Sequence, residues 1–81
     1  MNVNPRVIPT EGGYSIQFTR YSGTVLNWVQ DLSGRKMKSG LANRPPVIYS
    51  TRVEAADDTL KVVIPYLLKE KSVSPEDIIG W

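Results

Sequence analysis

The alternation of apolar and polar positions along this chain changes period once, near residue 51. Upstream of that point the period is two. Tyr14, Ile16 and Phe18 alternate with Ser15, Gln17 and Thr19, which predicts a half-buried strand. Val25 to Leu32 predicts a second strand, with Leu26, Trp28 and Leu32 on the core parity and Gln30 as a polar exception among them. Ser22-Gly23 and Ser33-Gly34 supply turns, the latter as a hairpin loop. Arg35 to Gly40 reads either as a third, exposed strand or as a loop. Asn43-Arg44-Pro45-Pro46 is barred from a central strand, because proline cannot donate to a ladder. Val47-Ile48-Tyr49 is a short β-branched run leading into the next element. Residues 1–13 hold Pro5, Pro9, Gly12 and Gly13, and read as an extended arm with a short edge strand at Arg6–Ile8.

From Thr51 to Lys71 the period becomes helical. Val53, Ala56, Leu60, Val63, Ile64, Leu67 and Leu68 line one face. Thr51 and Glu54 have capping-box spacing, and Glu54, Asp57 and Asp58 suit the positive end of the helix. Pro65 interrupts the ladder and clashes with the carbonyl four residues back. One kinked helix is the expected form, with two helices meeting at Pro65 as the alternative. Ser74-Pro75-Glu76-Asp77 marks a second helical start, Ile78 and Ile79 give it an apolar face, and Gly80 ends it. The expected fold is one α+β domain over residues 1–81. It has an arm (1–13), a three- to four-stranded antiparallel sheet (14–50), one long helix packed on one face (51–71) and a short C-terminal helix (74–80).

Composition narrows the chemistry. With 81 residues the chain supports one core of modest size. It has no cysteine and no histidine, so disulfides, thiolate nucleophiles, imidazole bases and the common zinc sites are excluded. No run approaches the ~18 apolar residues of a membrane span and the N-terminus does not read as a signal peptide, so a cytoplasmic protein with no membrane partner is expected. The net charge of +2 is unevenly spread: residues 1–52 carry a net +5 and residues 53–81 a net −3. This implies a basic strand region and an acidic helix.

Glu54, Asp57 and Asp58 are the candidates for carboxylate chemistry or a hard cation, but acids in a first helical turn ordinarily serve the helix itself. No phosphate-loop glycine pattern occurs. The strongest functional signal is Arg35, Lys36 and Lys38, three cations in four positions between Gly34 and Gly40, with Arg44 close behind. Such a segment suits contact with a phosphate backbone or an acidic protein face, with Trp28 and Tyr49 as aromatic anchors.

The strand–strand–strand–helix order resembles the small sheet-plus-helix DNA-binding domains at the amino end of some phage integrases. Pro46 to Val53, with a helix after it and then Ser74 to Ile79, is similar to a small helical domain of some antitoxins over less than half the chain. Neither resemblance enters the functional expectation. That expectation is a non-enzymatic binding protein, without cofactor, metal or small-molecule substrate, that occupies a macromolecular surface through Arg35, Lys36, Lys38, Arg44, Trp28 and Tyr49. Nucleic acid is one version of the partner. The alternative is a phage- or mobile-element-type inhibitor that docks on a larger protein complex without touching nucleic acid. A homodimer stays open.

Overall fold

A computed structural model of the chain describes residues 2–20, 23–30, 36–41 and 45–81, with residues 30 and 36–41 described by their backbone. Four antiparallel strands form one sheet in the order β1 (Arg6–Thr10), β2 (Gly13–Arg20), β3 (Thr24–Gln30) and β4 (Lys36–Leu41). The edge strand expected at Arg6–Ile8 thus runs two residues further, to Thr10, and pairs with β2 from Arg6↔Gln17 to Thr10↔Gly13. Pro9 is tolerated because β1 is an edge strand. Gly12 sits in the connecting turn at φ +88°, a conformation that L side chains rarely adopt.

The sheet is not evenly laced. β2 and β3 pair from Arg20↔Thr24 to Gln17↔Asn27. Beyond that point a third segment lies between them. Pro46 bridges Val29, and the Val47 N–H donates to the Trp28 carbonyl (2.9 Å). Tyr49 and Tyr14 exchange both backbone bonds, at 2.8 and 2.9 Å. Residues 46–49 are therefore a wedge between the parted ends of β2 and β3. Gly13 permits it: a Cβ there would strike the Tyr49 carbonyl oxygen.

The long helix comes next in the chain. It comprises α1 (Arg52–Asp58), a π-helical turn (Thr59–Val63) and α2 (Ile64–Glu70), continuous through Pro65. Thr51 caps it as expected, its hydroxyl accepting the Glu54 N–H at 3.1 Å. Glu54 does not reach back to Thr51; its carboxylate accepts from the Ser50 hydroxyl (2.9 Å). The π turn accounts for the proline. The Ile64 N–H bonds the Thr59 carbonyl five residues back, and the wider turn relieves the clash between the Pro65 ring and the turn before it.

The π turn also corrects the expected helical face. One extra residue in a turn rotates the half of the helix before it by about 100° relative to the half after it. The buried positions are Ala55, Thr59, Val63 and Leu67, spaced by four. Val53 and Leu60, expected inside, are 77% and 54% exposed. The buried hydroxyl of Thr59 is satisfied by the Ala55 carbonyl at 2.8 Å, a side-chain bond of the kind that bends helices.

Sheet and helix share one core. Ile16, Phe18, Leu26 and Trp28 come from the strands, Val47 and Tyr49 from the wedge, and Ala55, Val63 and Leu67 from the helix. Trp28 meets Tyr66 edge to face at 5.3 Å between centroids. Burying a side chain such as Phe18 or Leu67 contributes about 1.5–3 kcal/mol. The other parity of the strands is not simply solvated. Ser15, Asn27 and Val29 are buried too, with Thr10 bonded to Ser15 (2.6 Å) and Gln17 donating to Asn27 (3.2 Å). Buried polar groups in such positions need partners of this kind.

The expected helix at 74–80 is a single 3-10 turn, Pro75–Asp77, without a side-chain cap from Ser74. After it the chain extends and pairs with the arm. Val3 bridges Ile78 in parallel, through Val3 N–H to Asp77 O (2.8 Å) and Ile79 N–H to Val3 O (3.4 Å). The Trp81 indole N–H donates to the Pro5 carbonyl at 2.7 Å. No described helix is long and apolar enough to cross a membrane.

Candidate functional site

The basic segment falls partly on the sheet. Lys36 and Lys38 lie on β4, opposite Gln30 and Val29, across a register shift between those two β3 residues. β4 ends the strand order, and among the described residues no strand pairs with its outer side. Arg35 and Arg44 lie outside the described residues. Lysines on an edge strand have two physical effects: they discourage edge-to-edge association, and they hold positive charge beside unpaired backbone donors and acceptors.

Of the two aromatic residues expected beside this segment, Trp28 pairs with Ser39 of β4, and Tyr49 lies in the wedge. Trp28 is fully buried and Tyr49 nearly so, both within the core. Neither offers a surface to a partner in this conformation, so the anchoring role expected for them is replaced by a structural one. The period-two reading already placed Trp28 on the core parity, and its contact with Tyr66 closes that position. The Tyr49 hydroxyl donates to the Asp58 carboxylate in a short hydrogen bond. Burial, then the bond to Asp58 and its negative charge, push the Tyr49 phenol well above its ordinary value, opposed weakly by the nearby Trp28 indole.

The helical acids are each taken up separately. Glu54 accepts from Ser50, Asp57 pairs with Lys61 (3.0 Å), and Asp58 accepts from Tyr49. Among the described residues no three acidic side chains converge as a metal site would require.

A second feature was not legible from the sequence. An open cleft of about 330 Å³ lies where β1, the start of the long helix and the last residues meet. Arg6 and Arg52 line it together with Val7, Ala56, Ile79 and Trp81. Arg6 donates to the Asn4 carbonyl (3.2 Å), and the Arg52 guanidinium lies 5.0 Å from the Tyr14 ring centroid. The lining comes from three stretches far apart in the chain, so no local motif joins them. The local signal was the apolar set Ile78, Ile79 and Trp81 at the end of the expected short helix.

No protein-family model matches the chain, and neither a curated protein nor a solved structure is significantly similar to it.

Proposed function

We propose that this chain is a non-enzymatic binding protein that occupies an anionic macromolecular surface through its basic edge. In this reading the long helix covers one face of the sheet and stiffens it. β4 then carries Lys36 and Lys38, and Arg35 and Arg44 are near it in the sequence. The observation that carries the reading is the position of Lys36 and Lys38 on a terminal strand of the sheet. Charge held there meets a partner without any rearrangement of the core, and a nucleic-acid backbone or an acidic protein face supplies the complementary field. The protein-docking inhibitor is the second form of the same surface. It draws on the outer side of β4, where a partner strand can add to the sheet through backbone bonds.

Salt separates the two forms. Nucleic-acid binding should weaken linearly in log salt, and Lys36→Ala with Lys38→Ala should flatten the slope by about two charges and weaken binding on every sequence. The measurement is electrophoretic retardation of mixed DNA and RNA across a salt series. No retardation at low salt eliminates the nucleic-acid form. If immobilised protein then also retains no partner from a cell lysate, or retains the same partner with both lysines replaced, the basic edge is not the contact.

A further inference from the structure

We propose that the cleft between β1 and the start of the long helix binds a small organic anion, a carboxylate carried on an aromatic or short aliphatic body. Three observations lead there. First, Arg6 and Arg52 are among the residues that line the cleft, and among the described residues no acidic side chain lines it. Neither arginine is paired with a carboxylate among the described residues. A carboxylate that enters the cleft meets two arginines in its lining, and a planar guanidinium fork suits a carboxylate better than a neutral group. Second, apart from Asn4 the rest of the described wall is apolar. Val7, Ala56, Ile79 and Trp81 present hydrocarbon and an indole, with Trp81 fixed in place by its bond to the Pro5 carbonyl. Ile79 and Trp81 nevertheless keep 43% and 41% of their surface in water, which an apolar ligand body would cover. Third, the volume of about 330 Å³ lies at the low end of ligand pockets, roughly 300–1,000 Å³, so one ring with a short acid arm fits.

The cleft stands on β1, and the lysines of the proposed basic edge stand on β4, at the other end of the strand order. The inference is therefore independent of the reading of β4, and either can fail alone.

The test uses the whole chain, isotope-labelled, with 3-phenylpropionate as the probe and 3-phenylpropanol as its neutral counterpart. There are two indole N–H signals to monitor: Trp81 reports the cleft, and fully buried Trp28 reports the fold. The acid should shift the Trp81 indole and the backbone amides of Arg6, Val7, Ala56 and Gly80 saturably, about tenfold or more tighter than the alcohol, since a charge-assisted pair is at stake. In the Arg6→Gln, Arg52→Gln double variant that preference should vanish while the Trp28 signal stays put. Equal response to acid and alcohol overturns the proposal. So do shifts that never saturate or that centre on other residues. If the double variant does not fold, the comparison of acid with alcohol on the unaltered chain decides alone.

Discussion

The Tyr49 hydroxyl donates to Asp58 from a nearly buried ring, so the phenol is held neutral by its surroundings. Its folded pKa lies above the ordinary tyrosine value near 10. Below about pH 10 both folded and unfolded chains keep the proton, and the full contribution of Tyr49 is present. Above it the unfolded chain ionises first, and stability falls by up to about 1.4 kcal/mol per pH unit from this group. Tyr49→Phe lacks the proton to lose. The stability gap between the two chains, measured by urea unfolding, should therefore be widest near neutral pH and narrow between about pH 9 and 11. The other tyrosines are common to both chains and cancel. A gap that stays constant with pH would show that Tyr49 ionises as freely folded as unfolded.

The long helix shows how far a periodic pattern reaches. Alternation in residues 14–19 and the apolar Val63, Leu67 pair were legible because strand and helix periods are local properties. The π turn was not. Val53, Ala56 and Leu60 form a more apolar set than Ala55 and Thr59, so an ordinary helix drawn through Val63 collects the wrong residues. What reverses the choice is tertiary: Pro65 favours a widened turn, and Thr59 enters the core with its hydroxyl already bonded to Ala55. The consequence is testable by deletion. Lys61 lies in the π turn, is largely exposed, and makes a surface pair with Asp57 worth under about 1 kcal/mol. Removing Lys61 together with Pro65→Ala should restore an ordinary helix while keeping Ala55, Thr59, Val63 and Leu67 on one face. Thermal melts should show a folded chain within about 2 kcal/mol of the original. Loss of the cooperative transition would mean the extra residue is not what aligns the two halves.

At the scale of the whole molecule, the chain is closed by contacts between its first and last described segments. Val3 with Ile78 and Pro5 with Trp81 hold the arm against the core, and Val3 is itself buried. Trp81→Ala removes one hydrogen bond and a partly buried indole, and should cost about 1–2 kcal/mol. Amide exchange at Val3 and Ile79 should quicken far more than at Phe18 or Leu26, because the loss opens this seam before the sheet. Uniform acceleration would place the seam inside the main cooperative unit. The basic candidate segment was legible because its charges are neighbours in sequence. The Arg6, Arg52 and Trp81 cluster was not, since only the folded topology assembles it.

The wedge at residues 46–49 carries a consequence for the order of assembly. The two hairpins β1–β2 and β2–β3 close over short spans. Tyr14 and Tyr49 must find each other across 35 residues, and Pro46 must find Val29, which requires β2 and β3 to exist already as the walls of its slot. Long-range closure of this kind comes late on the path. Alterations in the wedge should then hasten the departure from the native state and leave the speed of reaching it nearly untouched.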